Sequence, residues 1–224
     1  MAPVAKKYQF AVIAVDIAVF TVEERVVKVL LIKMKKHPFE ICWALPGGLI
    51  RPNESLDVAA SRILREKTAL KGIYLEQIQA FGSVKRDPFG RVVSVAYLVL
   101  ISSDKFNVKT TEEHSEIAWY AVDKLPPLAY DHREITKVAY ERLKMKLQES
   151  TIVYSLLPQE FTLSDLQTMY EIILGRKLDK RNFRRKIFEL GLLQRLHKKR
   201  VGMANRPAEL YAFAKHGYQK IDIL

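Results

Sequence analysis

The residues best placed to do chemistry fall in one short stretch. Gly47 and Gly48 follow Pro46 in a strong chain-breaking run, Arg51 and Glu54 come next, and Arg62, Glu66 and Lys67 follow. Between residues 55 and 68, Leu56, Ala59, Ala60, Ile63 and Leu64 recur at three- and four-residue spacing. That period predicts an amphipathic helix, with Asn53 or Ser55 as its cap. A divalent cation there needs several hard oxygen ligands, and Glu66 beside Lys67 does not offer them. The amides of the glycine loop, with Lys67, suit a phosphate group held without metal. One cysteine and five scattered histidines leave no zinc site of ordinary ligand spacing.

Gly48, Glu54, Arg62, Leu64, Glu66 and Leu70 also stand at the spacing of the Nudix box, and Pro46-Gly47-Gly48 precedes them as it does there. This part of the chain resembles the Nudix superfamily. The resemblance implies an α/β (α+β) fold, an αβα sandwich around a mixed sheet. It also implies three box carboxylates that hold magnesium or manganese against a pyrophosphate, the metal activating the attacking water. Here those three positions are Ile63, Glu66 and Lys67, and Ala69 replaces the terminal glycine. The expectation is therefore no catalytic residue and no metal, with Gly48, Glu54, Arg62 and Glu66 as remnants of the box. The Glu54–Arg62 pair reads as a structural tie between loop and helix. Magnesium enters only in the runner-up reading, a Nudix hydrolase of nucleoside diphosphate derivatives such as ADP-ribose. That reading needs replacement ligands, for which Glu112, Glu113 and Glu116 are candidates.

The elements around the box read mainly as strands. Residues 10–20 and 26–32 are β-branched runs about a polar turn at 21–25, and strand character returns at 76–83, 91–102 and 116–120. A long helix is predicted from Asp131 to about Gln148, with Ile135, Val138, Ala139, Leu143 and Leu147 inward. Asp87-Pro88-Phe89-Gly90 makes a turn between two of the strands. Near it, Arg86 and Arg91, together with Arg51, suit a phosphate or carboxylate. Alternatively, Arg86 and Asp87 only staple the turn. The candidate effector-binding set is Gly47, Gly48, Arg51, Lys67, Arg86, Asp87 and Arg91.

Beyond residue 149 the pattern changes. Residues 150–224 hold 14 Lys/Arg against 7 Asp/Glu, and residues 180–206 hold ten basic residues against Glu189 alone. Such density points to a polyanion partner. Three short helices are expected at 151–157, 162–174 and 179–190, then two strands, 192–196 and 209–213, around a loop at 197–207. That is the order of an α+β winged helix-turn-helix. On the third helix Phe183, Ile187 and Leu190 face inward, which turns Arg181, Asn182, Arg184, Arg185 and Lys186 outward toward a DNA groove. Lys198, Lys199, Arg200 and Arg206 form a basic wing in the loop, Arg206 held by Pro207 for a minor groove.

The degenerate box, the Leu128-Ala129-Tyr130-Asp131-His132 segment, Phe183-Arg184-Arg185-Lys186 and Arg206-Pro207-Ala208-Glu209-Leu210-Tyr211 together resemble the Nudix-related transcriptional regulators of bacteria, of the NrtR type and its sugar-responsive relatives. The likeness covers nearly the whole chain. It implies a homodimer in the bacterial cytoplasm whose winged helices bind a palindromic double-stranded operator, with ADP-ribose or a pentose as effector and no cofactor. The expected domains are 1–148 and 149–224. The single Cys42 allows no intrachain disulfide and fits a reducing compartment. The apolar run at 10–20 is too short for a membrane span and carries Asp16, so neither span nor signal peptide is expected. A protein-interaction module without DNA affinity is the third class.

Overall fold

A computed structural model describes residues 10–35, 37–102, 116–200, 207–214 and 219–221. Among these, β1 (Val12–Glu23) and β2 (Val26–Lys33) form a hairpin whose turn residues Glu24 and Arg25 both have positive φ, 51° and 64°. This is the type I′ geometry that matches strand twist. Lys28 bridges Glu23 and Glu24 across it, at 2.6 and 3.1 Å. Two short strands follow, β3 (Trp43–Ala44) on β2 and β4 (Gly47–Leu49) antiparallel to β1, with Asp16 opposite Gly47. The Gly47-Gly48 sequence, expected as a chain-breaking loop, is thus a ladder-forming strand. β5 (Glu76–Phe81), β6 (Val92–Leu100) and β7 (Ile117–Ala121) complete a seven-stranded sheet in the order β3-β2-β1-β6-β5, with β4 joined to β1 and β7 to β2. Eight consecutive residues of β1 and most of β6 are buried, so these central strands are covered on both faces.

Helix α1 (Leu56–Thr68) is capped by the Ser55 hydroxyl and buries Ala59, Ala60, Ile63 and Leu64. It ends on Ala69 at φ 62°, where the box pattern has glycine. Helix α2 (His132–Glu149) buries Ile135, Ala139, Leu143 and Leu147 fully. Asp131, expected as its cap, stands immediately before it, its carbonyl accepting from Glu134 N and Ile135 N and its carboxylate from Arg86.

The chain divides into two compact units. The first takes the described residues within Met1–Phe20, Val29–Val99 and Phe106–Ala139; the second takes those within Thr21–Lys28, Leu100–Lys105 and Tyr140–Leu224.

The second unit contains a 3-10 turn (Ile152–Ser155), α3 (Leu163–Leu174), α4 (Lys180–Glu189) and the hairpin β8 (Leu193–Arg200) with β9 (Ala208–Phe213). α3 opens with a full capping box between Thr162 and Asp165 and closes on Gly175 at φ 68°. Glu171 staples the α3–α4 connection, accepting from Leu178 N, Gln167 and Lys177. Those bonds, the backbone one foremost, hold its carboxyl at about 2. Phe161 pairs backbone to backbone with Tyr211, adding a third strand-like edge to the hairpin. Among the described residues no helix is long and apolar enough to cross a membrane.

Candidate functional site

A cavity of about 580 Å³ opens in the first unit, a size suited to a small organic ligand. Ile32, Met34, Ala44 and Tyr130 supply apolar wall, while Gly47, Gly48, Lys67, Arg86, Asp87 and Arg91 supply most of the polar wall with Asp16 and His132. Six of the seven residues expected to bind an effector therefore meet in one place. The seventh, Arg51, lines a separate open groove of about 1000 Å³ beside α1.

The polar floor is a buried network centred on Asp16. Its Oδ2 accepts from Ser94 Oγ at 2.6 Å and from Arg86 at 3.1 Å, and its Oδ1 lies 3.3 Å from His132 Nε2. Arg86 also donates to both oxygens of Asp131, at 2.9 and 2.7 Å. The Leu45 amide donates to His132 Nδ1 at 2.9 Å, so a neutral ring carries its hydrogen on Nε2, aimed at Asp16. Burial by itself raises the Asp16 pKa, but His132, Ser94 and Arg86 outweigh it and hold the group at about 2. A Cβ on Gly47 would sit 2.2 Å from Asp16 Oδ1, so glycine is required there by space. Arg86 is consequently a buried cross-link with a 3 % exposed side chain, serving neither as an open phosphate ligand nor as the Asp87 partner. Asp87 alone staples the turn, accepting from Phe89 N at 2.8 Å, and Arg91 donates to the carbonyls of Gly82 and Ser83. Tyr130, at φ 53°, packs its ring 4.5 Å from Phe39 and 5.2 Å from His132.

The box remnants have become an arginine–carboxylate lattice. Arg62 donates to both Glu54 oxygens and to the Leu49 carbonyl, and Arg51 N donates to Glu54 at 2.8 Å. The Arg62 bonds, against partial burial, hold Glu54 at about 2. Glu66 accepts from Arg62 at 2.9 Å and Arg51 at 3.3 Å, so both its oxygens face guanidinium groups. Ile63 is buried beneath Gly48, where a Cβ would meet its Cδ1 at 3.5 Å. The residues present do not fit a divalent cation: one hydrocarbon, one doubly paired carboxylate and one ammonium. Glu116 pairs with Lys33 at 3.3 Å, and Glu112 and Glu113 lie outside the described residues.

In the second unit α4 is capped by Asp179 and buries Phe183 and Ile187, the Phe183 ring standing edge-on to Tyr170 at 5.2 Å. Leu190 is only half-buried. Arg181, Asn182 and Arg185 are exposed along one face, Lys186 is half-buried, and Arg184 turns toward α3 with its Nε buried and its Nη2 3.4 Å from Ser164 Oγ. The wing differs from its expected form, because Lys198, Lys199 and Arg200 are on β8 and not in a loop. Carboxylates on neighbouring segments explain the longer strand: Lys198 pairs with Glu160 at 2.8 Å, Arg200 with Asp165 at 2.8 Å, and Arg195 with Glu209 at 3.0 Å. Arg206 lies outside the described residues.

Asp16, Ser94, Tyr130, Asp131 and His132 were not singled out as site residues by sequence. The available signal was Asp16, a carboxylate alone in an apolar strand, which must find partners when buried.

Sheet, box helix and C-terminal hairpin define a class: a Nudix-type domain with an altered box, joined to a winged helix. Residues 11–141 match the NUDIX domain family, and residues 153–213 match the NrtR DNA-binding winged helix domain. The ADPR responsive transcriptional repressor NtrR of Acinetobacter baylyi is 37 % identical over 94 % of this chain and 85 % of its own length. The crystal structure of Shewanella oneidensis NrtR complexed with a 27mer DNA is 34 % identical, covers 90 % of this chain and 93 % of that one, and has a TM-score of 0.76. The NUDIX domain of the same Shewanella protein, complexed with ADP ribose, is 35 % identical over 64 % of this chain and 94 % of that one, with a TM-score of 0.56. The chain belongs to the NrtR-type family of Nudix-related transcriptional regulators.

Proposed function

We propose that this chain is a DNA-binding transcriptional repressor whose first unit senses ADP-ribose and whose second unit holds the operator. The observation that carries the reading is the cavity at the altered box. It keeps a glycine-lined, cation-bearing wall beside an apolar one, and its box helix no longer offers metal ligands. The two Shewanella structures above, one complexed with DNA and one with ADP ribose, support the same pairing of ligands. Arg181, Asn182 and Arg185 on the exposed face of α4 are the base-reading candidates, and β8 cations neutralise phosphates. The protein acts as a homodimer on a two-fold operator, a state that light scattering measures directly.

The test is a gel shift with the DNA upstream of the chain's own gene. Binding that ADP-ribose releases, and that Arg185→Ala removes, is the expected result. Binding indifferent to ADP-ribose removes the sensing half of the reading. No binding removes the DNA half.

A further inference from the structure

We propose that Lys67 takes the place of the divalent cation, so that its ammonium holds the diphosphate of the effector and recognition needs no metal. The inference rests on the reading of the cavity as an ADP-ribose site and specifies how that site meets the ligand's charge.

Positions 63, 66 and 67 share a face of α1, yet only Lys67 among the residues of that helix lines the cavity. Ile63 is spent beneath Gly48, and Glu66 is turned to Arg51 and Arg62. Of the cavity's other charged side chains, Asp16 and Arg86 answer each other, Asp87 accepts from Phe89 N, and Arg91 donates to the carbonyls of Gly82 and Ser83. Lys67 is half-buried, so its ammonium has already shed part of its water and gives up less on meeting phosphate oxygens. Burial lowers its pKa, with Arg62 acting in the same sense, while Glu66 opposes them, as does the negative end of the helix dipole in the last turn of α1 where it lies. An ammonium neutralises a diphosphate as a point charge, as lysine does in other phosphate sites. Unlike a metal, it neither binds a water as hydroxide nor polarises a phosphorus–oxygen bond as a Lewis acid. The same substitution that removes cleavage therefore supplies retention, and a molecule held without being consumed can report its own concentration.

Calorimetric titration of the full chain with ADP-ribose and with inorganic pyrophosphate, in EDTA and in magnesium, tests this. The wild type is expected to bind ADP-ribose equally in both buffers. Loss of one charge-assisted contact in Lys67→Met should weaken both probes by about ten- to hundredfold, and Lys67→Arg should retain most of the affinity. Thermal melting of each variant checks folding, and Lys67→Arg keeps the test decisive if Lys67→Met does not fold. Wild-type affinity that collapses in EDTA overturns the inference, as does Lys67→Met binding like wild type, or Lys67→Arg falling as far as methionine. Pyrophosphate that binds through Lys67 while ADP-ribose does not would leave the inference standing and overturn the effector's identity. Neither probe binding in either buffer would overturn both.

Discussion

Replacing Arg86 by methionine removes the one cation between two buried carboxylates, whose side chains are 7 % (Asp16) and 15 % (Asp131) exposed. Removing one partner of a buried ion pair costs about 3–5 kcal/mol, because the charge left behind has no compensation. Asp16 keeps Ser94 and His132, whereas Asp131 loses both bonds to the guanidinium, so the lower half of that range applies. For a chain of this length each kcal/mol moves Tm by about 2–4 °C, giving a fall of about 6–16 °C. The pH dependence is the sharper test. In the wild type the folded pKa of Asp16, about 2, lies below its ordinary value of 3.8. Its contribution is therefore complete above about pH 4 and is lost as the pH falls through 2. In Arg86→Met burial of Asp16 is less opposed, its folded pKa rises, and protonation relieves the variant. The gap between wild type and variant should be widest at pH 7 and narrower at about pH 4.5. Calorimetric melting at both pH values measures it. A gap below about 1 kcal/mol, or one identical at the two pH values, would refute the reasoning.

Three further outcomes are expected. Gly47→Ala drives a methyl into Asp16 and should lower Tm and ADP-ribose affinity together, read by melting and calorimetry. Ala69→Gly relieves a left-handed alanine at φ 62° and should stabilise the protein by up to about 1 kcal/mol in urea unfolding, since relief of the strain exceeds the added freedom of the unfolded chain. Arg185→Ala should relax base preference in a selection from random duplexes while leaving Tm unchanged. Arg184→Ala, whose Nε is buried against the fold, should lower Tm and weaken binding to all sequences alike.

Period and spacing made much of the molecule legible. The α1 stripe, the β-branched strands and the buried face of α4 all follow local rules. The altered box was legible too, since three residue types at one helical spacing decide what a face can bind. The network beneath it was not, because Asp16, Arg86, Ser94 and Asp131 meet only when β1, β6 and the start of α2 are in register. No local pattern carries a partner 70 or 78 residues away. Gly47-Gly48 misleads for a related reason: turn propensity is intrinsic, whereas the ladder that makes it a strand is supplied by β1. The wing was cut short because Lys198 and Arg200 looked like loop cations, and their carboxylate partners are 38 and 35 residues upstream.

The double pairing of Glu66 bears on what it would take to build a metal site on this helix. Changing Lys67 to glutamate discards the ammonium while Ile63 still fills one ligand position and Arg51 and Arg62 still occupy Glu66. Changing Ile63 alone to glutamate places a carboxylate beneath Gly48 with no ion to share. No single substitution therefore assembles the several hard oxygen ligands that a divalent cation needs, and two arginines turned toward one glutamate make it a change of several residues at once.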